Sequence, residues 1–406
     1  MILVLNCGST SVKYALYSGS TSREEGAVTG ITDRESMLVR TVDGVTETIP
    51  ADVADHDAAI ALVVETISDE RAGGHVAIGD VSAVGHRVVH GGDLAESRFV
   101  DEDVKRTIEQ YAPIAPLHNP VNLAGIEATE ELLPDTPQVA VFDTAFHQTM
   151  PPRAFLYALP YELYEAYGIR KYGFHGISHE FVATEAAELL EVPFEESAFV
   201  TCHLGGGCSM AAIRAGRSID TTMGFTPLEG LIMATRTGDI DPTVVRFLIE
   251  EHGFDLEGVF HLFNHESGFA GLSGIGDDLE EVIEASEDGD ERAELAVEAF
   301  SYRIRKYVGA YAAVLGDLDG IVFTAGIGEN AAEIRKRVCD VSIPDLRIDD
   351  AANDAIRAER GLISGADSDV PIAVVPTDEE LMIARETDRV VSAGRPKASS
   401  RRDPER

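Results

Sequence analysis

The chain has 406 residues, 44% of them hydrophobic, which is enough for two domains that each bury their own core. Its 33 Lys and Arg stand against 71 Asp and Glu, a formal charge of −38, so the bulk field opposes nucleic acid and anionic membrane as partners. No apolar run is long enough for a bilayer span, and no basic segment or cleavage site marks a signal peptide, so a soluble, cytoplasmic protein is expected. Any phosphate ligand must then be gripped by a local basic site, and the acidic excess is expected to need salt to relieve its self-repulsion.

The first elements read as a hairpin. An apolar run, Ile2 to Leu5, enters the polar turn Asn6-Cys7-Gly8-Ser9-Thr10-Ser11, and Val12 to Tyr17 alternates back as a strand carrying Lys13. The turn is not a Walker A loop, lacking the second glycine before the lysine and the Ser/Thr after it. Residues 26 to 54 predict sheet and turns, and Asp57 to Ile67 predicts a helix over one sheet face. Val81 to Gly92 reads as a strand ending in a turn with Arg87. A guanidinium beside histidines and Gly-Gly suggests an anion clamp, an exposed surface arginine being the alternative. A helix is predicted at Val104 to Tyr111. The prolines of Ala115-Pro116-Leu117-His118-Asn119-Pro120 then break the pattern and fix His118 in a rigid loop, before a second helix near Asn122 to Leu133. The buried strand Gln138 to Phe142 ends at Asp143, either a ligand position at a strand's carboxyl end or a turn aspartate.

In the second half, Lys171 to His179 (KYGFHGISH) places His175 in a glycine-bounded turn, where it could donate to a transferring group, with a helix expected from about Ser178. Phe199 to Ala211 repeats the opening grammar: an apolar run through His203 and Leu204, three glycines, Gly205, Gly206 and Gly207, then the return strand Ser209 to Arg214. These glycines are expected to take positive φ and turn backbone N–H groups toward an anion. Two such hairpins suggest an internal duplication that grips a polyphosphate from both sides. Thr221 to Pro242 is a long aperiodic loop whose one basic residue is Arg236, and loops of that length inside a domain are usually functional. Helices are predicted at Thr243 to Glu251 and Arg292 to Leu315. A third strand, GIVFTA from Gly320, meets a third glycine turn, Gly326-Ile327-Gly328-Glu329-Asn330. The last strand, Pro371 to Val375, precedes Asp378-Glu379-Glu380 and a helix from Leu381 to about Val391. Carboxylates there could hold Mg2+ or simply favour the helix N-terminus. Residues 394 to 406 are expected to form a disordered tail. Cys7, Cys202, Cys208 and Cys339 follow no metal spacing and read as small buried thiols.

Ten of these stretches together resemble the acetate kinase family: Asn6 to Lys13, GHRVVHGG from Gly85, APLHNP from Ala115, FDTAFH from Phe142, YGFHGISH from Tyr172, HLGGG from His203, MGFTPLEGL from Met223, TRTGDIDP from Thr235, GIGEN from Gly326 and PTDEELMIARET from Pro376. They stand in order over almost the whole chain. The resemblance implies an α/β fold of duplicated ribonuclease H-like (actin-like ATPase) domains around a central nucleotide cleft, in a homodimer. It implies domains at 1–150, completed by a C-terminal helix at 385–393, and at 151–384; because the expected phosphate contacts come from both halves of the chain, closure is expected about hinges near Met150 to Pro152 and Asp378 to Ala384. The implied reaction is reversible, direct in-line phosphoryl transfer from ATP to acetate, giving acetyl phosphate and ADP, with Mg2+ or alternatively Mn2+. Residue by residue it implies Asn6 and Glu379 at the metal, and Ser9, Ser11 and Lys13 near the phosphates. Arg87 would lie on the substrate carboxylate or its phosphate, with His118 and Pro227 at the acyl group and Asp143 as the essential acidic residue. His175 and Arg236 would attend the phosphoryl group, while His203 to Gly207 and Gly326 to Asn330 line the nucleotide. Two departures stand out: Gly206 replaces the asparagine usual in this turn, and Ser273 to Leu279 lacks the Asp-Phe-Arg segment common near the adenosine. A propionate kinase of the same family and an actin-like or chaperone-like ATPase module are the other readings, the first differing by one methylene.

Overall fold

The structure is a computed structural model that describes residues 1–31, 36–68, 76–341 and 344–394; the expected tail, apart from Gly394, lies outside the described residues. The chain forms two compact units, one made of Met1–Ala145 and the segment from Glu379, the other of Phe146–Asp378.

The first unit is built on β1 (Ile2–Cys7), β2 (Ser11–Ser18), β3 (Thr21–Thr29), β4 (Ser36–Val42), β5 (Val45–Ala51), β6 (Ala83–Val88), β7 (Arg98–Phe99) and β8 (Gln138–Phe142). The sheet order is β5-β4-β3-β2-β1-β6-β8-β7. The strands from β5 to β1 pair antiparallel, whereas β1, β6 and β8 run parallel. Alternation divides the faces. Leu3, Leu5 and Cys7 with their partners Leu16, Tyr14 and Val12 pack on Ala59, Ile60, Val63 and Ile67 of the helix His56–Ser68. The opposite face carries Val4 and its neighbour Gly85, and the helix Glu379–Ala393 covers it. The approach is close enough to require glycine, since a Cβ on Gly85 would stand 2.2 Å from Thr387 Oγ1 and 2.9 Å from Ile383 Cγ2. Burying Ile383 here contributes about 2 kcal/mol. This helix begins at Glu379, two residues before the start that periodicity predicted. Likewise the helix expected near Asn122 begins at Asn119, with Pro120 in its first turn, where a missing N–H costs nothing.

The second unit has β9 (Ala198–Leu204), β10 (Cys208–Arg214), β11 (Arg217–Thr221), β12 (Gly320–Thr324), β13 (Gly361–Leu362) and β14 (Ile372–Val374), ordered β11-β10-β9-β12-β14-β13. Here β11, β10 and β9 pair antiparallel, and β9, β12 and β14 run parallel. This is the arrangement of β3-β2-β1-β6-β8, so the duplicated hairpin is embedded in a duplicated sheet. The third glycine segment differs from its expectation: β12 runs into the short helix Ala325–Asn330, not into a glycine turn. All four cysteines are buried and unbridged, and burial pushes the thiols of Cys7, Cys208 and Cys339 up to about 12. Among the described residues no helix is long and apolar enough to cross a membrane.

Two histidines on and after β6 make the first unit sensitive to acid. His86, 2% exposed, bonds Gln138 Oε1 through Nε2 at 2.7 Å, and His90, fully buried, accepts from Gly92 N–H at 3.0 Å and stacks on Tyr111. Burial lowers their pKa values to about 4 and about 3. A depressed histidine stabilises the fold fully above its unfolded value of about 6.5, and this contribution is lost as pH falls toward the folded value. Thermal unfolding should therefore show a loss on the order of 3 kcal/mol attributable to His86 between pH 6.5 and 4. His86→Gln should be less acid-sensitive than the parent by that amount, and parallel stability curves would show that His86 does not titrate in this window.

Candidate active site

The carboxyl ends of the three parallel strands in the first unit gather the ionic residues. Asn6 ends β1 opposite Lys13, Arg87 lies near the end of β6 on the Gly85 face, and Asp143 follows β8. Arg87 Nη2 donates to Asp143 Oδ2 at 2.7 Å, its Nη1 reaches Asn6 Oδ1 at 3.4 Å, and its Nε lies 3.6 Å from Glu379 Oε2. Glu379 enters because its helix starts over this face. Burial alone would weaken the guanidinium's hold on its proton, but Asp143 and Glu379 outweigh it and keep the group charged. Burial pushes the Glu379 carboxyl up to about 7, with Arg87 opposing and Asp143 and Glu380 reinforcing the rise. Asp143 is 1% exposed and its Oδ1 has no hydrogen-bond partner among the described residues. Such an orphaned buried acceptor wants a cation or donor. Ser9 is exposed in the β1–β2 turn, where the N–H of Gly8 donates to Ser11 O and His56 Nε2 donates to Gly8 O at 2.7 Å. His118 is half-buried at the start of the helix Asn119–Leu132.

In the second unit the residues converge on Gly207. A Cβ there would stand 3.4 Å from His175 Cε1, 3.6 Å from His175 Nε2 and 3.6 Å from Arg236 Nη1, ordinary contact distances that place the residue between two donors. None of Gly205, Gly206 and Gly207 has positive φ, contrary to expectation; two non-glycine residues near them do, His175 at 57° and Ala325 at 63°. For a non-glycine residue this conformation costs about 1–2 kcal/mol, a strain typical of functional sites. It places His175 ahead of the helix Gly176–Leu189. His175 stacks on His203 at 4.1 Å, and its Nδ1 meets Ser209 Oγ at 2.8 Å. Arg236 Nη1 donates to Pro227 O at 3.1 Å, and burial lowers its pKa. The loop bearing Arg236 is pinned by Asp239, which accepts from Gly230 N–H and Tyr307 OH and pairs with Arg303.

A cavity of about 940 Å3 in the second unit is bordered by Gly205, Gly206, Gly326, Ile327 and Asn330. Its far wall, from Asp277 through Glu287, is acidic, with Arg357 its one cation among the described residues. His203 and Leu204 are instead buried in β9, and the Glu329 carboxylate turns inward to accept from Thr377 N–H at 3.1 Å. Beneath the glycine helix lies Arg335, fully buried, whose Nη1 donates to Gly328 O at 3.0 Å and Glu329 O at 2.8 Å while its Nε holds Asn353. Sequence reasoning missed Arg335, His56, Asp239 and Ser209; only the acidic spacing within TRTGDIDP offered a signal, for Asp239.

Residues 1–385 match the model of the acetokinase family. Over 397 residues the chain is 50% identical to the acetate kinase of Halothermothrix orenii, covering 97% of this chain and 100% of that one. The crystal structure of Porphyromonas gingivalis acetate kinase superposes with a TM-score of 0.91 at 42% identity, covering 96% and 99% of the two chains. A propionate kinase from Francisella tularensis superposes with a TM-score of 0.90 at 38% identity, again covering 96% and 99%.

Proposed function

Because the chain belongs to the acetokinase family, with its duplicated ribonuclease H-like α/β fold, we propose a residue-level account of its reaction. The protein is a phosphotransferase that moves a phosphoryl group between ATP and acetate. The observation that carries the account is the pair of donor sets: a charged, carboxylate-flanked Arg87 in one unit and the His175–Arg236 pair around Gly207 in the other. Acetate is ionised at neutral pH, so the attacking oxygen needs alignment and no base. Arg87 binds the carboxylate or its phosphate, and Asp143 holds Arg87 in place without removing a proton. The transferring group spreads negative charge over its equatorial oxygens, which Arg236 and His175 stabilise by donation. The cavity takes the nucleoside, its volume being in the range of small-molecule sites; carboxylates on its wall suit ribose hydroxyls and an exocyclic amine, with the phosphates along Gly205 to Gly207 and Ser9, Ser11 and Lys13. His118 and Pro227 border the acyl group.

The donor set fits Mg2+. Glu379 and Asn6 would hold it, with the orphaned Oδ1 of Asp143 available to the ion or its water. Few protein ligands suffice, since this ion keeps waters and phosphate oxygens, and among the described residues no cluster of three or more His, Cys, Asp or Glu forms a cage. When bound, the metal neutralises charge on the phosphates. A homodimer completes the reading, supported by exposed Phe247, Phe254, Leu256 and Phe260 on and between neighbouring helices, Thr243–His252 and Leu256–His265.

A hydroxamate assay should detect acyl phosphate from acetate with ATP, with propionate slower and butyrate slowest; no product from any donor would refute the account. Arg87→Ala and Arg236→Ala should each lower turnover on the order of a hundredfold, about 3 kcal/mol, with circular dichroism unchanged. Wild-type turnover in either would remove that arginine from the chemistry. Glu379→Ala should shift the Mg2+ titration of activity to higher concentration, and an unmoved titration would leave Glu379 a helix-terminal charge only. Sedimentation should give twice the chain mass, a value that Phe247→Asp with Phe260→Asp should halve; monomeric parent protein would rule out the dimer.

A further inference from the structure

Behind His175 runs a buried chain of side chains that the reaction does not touch. Ser209 Oγ lies 2.8 Å from both His175 Nδ1 and His179 Nε2, and His179 Nδ1 lies 2.7 Å from Thr201 Oγ1. Thr201, His179 and Ser209 are fully buried. We propose that Thr201, His179 and Ser209 form a one-way hydrogen-bond relay that fixes the tautomer of His175, keeping the proton on Nε2.

The argument is a count of protons. Burial, with His147 and His203 nearby, holds the His179 pKa well below its ordinary value, so that ring is neutral and carries one N–H. If the hydrogen is on Nε2, His179 donates to Ser209 and accepts from Thr201. The single hydroxyl hydrogen of Ser209 then goes to His175 Nδ1, which leaves the His175 proton on Nε2. If the hydrogen were on Nδ1, His179 would donate to Thr201. Thr201 has no other side-chain hydrogen-bond partner among the described residues, so its own hydrogen would be buried without an acceptor. Only the first arrangement satisfies the donors of the three fully buried residues, the remaining N–H falling on His175, which is half-buried. A neighbouring histidine shows the same wiring independently: His147 Nε2 faces Phe174 O at 3.0 Å, which can only accept, and Ser218 Oγ serves its Nδ1 at 2.8 Å.

The consequence rests on the reading of His175 as a donor to the phosphoryl group. The Nε2 edge lies toward Gly207 and Arg236. A ring with its proton there offers a hydrogen bond to a phosphoryl oxygen, whereas the other tautomer presents a lone pair to negative charge. Ser209, His179 and Thr201 are thus positioning residues. None need contact a substrate.

The test is 15N NMR of histidine-labelled full-length protein at pH 7.5, with His175 assigned by loss of its signals in His175→Gln. In the parent, His175 should show a protonated Nε2 and a bare Nδ1. Ser209→Ala removes the donor, and Thr201→Val removes the bias two links away without changing shape; both should give a mixture of tautomers. Their kcat should fall at least about tenfold with KM within about twofold, as expected when one stabilising donor is misdirected. Ser209→Thr should restore both the tautomer and the rate. A parent ring protonated on Nδ1, or variants that lose rate while the tautomer stays fixed, would overturn the relay. A tautomer that shifts while kcat holds would uphold the relay and sink the donor reading of His175 instead.

Discussion

A guanidinium taken out of water must be surrounded by charge of the opposite sign, and in the first unit Arg87 imposes that condition on everything near it. Asp143 at the end of β8, Asn6 at the end of β1 and Glu379 at a helix start are all oriented toward this one cation. The attraction of two carboxylates to one arginine in a poorly solvated site offsets a desolvation cost of several kcal/mol per ion. In a protein of charge −38 the surrounding field reinforces a buried cation and opposes a bound anion. A phosphate or carboxylate ligand therefore depends on such local centres. Arg236 is the second unit's equivalent, but among the described residues it has no carboxylate partner of its own; a backbone carbonyl and a sulfur hold it.

Much of this was legible in the chain. The strands announced themselves by apolar runs and alternation, and the hairpin duplication followed from two turns of like grammar. Arg87, Asp143 and Arg236 stood out because each is a charged residue in an otherwise apolar or aperiodic setting. What stayed hidden acts on backbone carbonyls of remote segments. Arg335 serves Gly328, Glu329 and Ile356 through N–H groups that leave no trace in local pattern, and His56 braces Gly8 across 48 residues. The three glycines read as left-handed and are not: an added Cβ would meet nothing closer than 3.4 Å at any of them, while the left-handed backbone beside them falls on His175 and Ala325. Pro120 was read as a breaker because a proline looks alike before a helix and inside one.

The two departures from the family pattern meet at the cavity. Around Gly206 an added Cβ would find nothing within 4 Å, so the space an asparagine would fill is open. Across the cavity, Asp278 caps the helix Leu279–Glu287 by accepting from Glu280 N–H, and the wall that follows is acidic, its cation, Arg357, coming from a different part of the chain. On the proposed reading, contact with the nucleoside would shift from a local arginine toward carboxylate acceptors.

The helix Glu379–Ala393 covers a sheet whose strands all lie before residue 143. On the ribosome, the face bearing Val4 and Gly85 is made early, yet its cover is synthesised only after the whole of Phe146–Asp378. The second unit, continuous in sequence, can complete its core as it emerges, which reverses the usual N-terminal-first order of domain folding. Until the last helix arrives, the earliest strands of the protein hold an uncovered apolar face. A chain truncated before residue 379 would thus carry the enzyme's second half folded and its first half a client for chaperones.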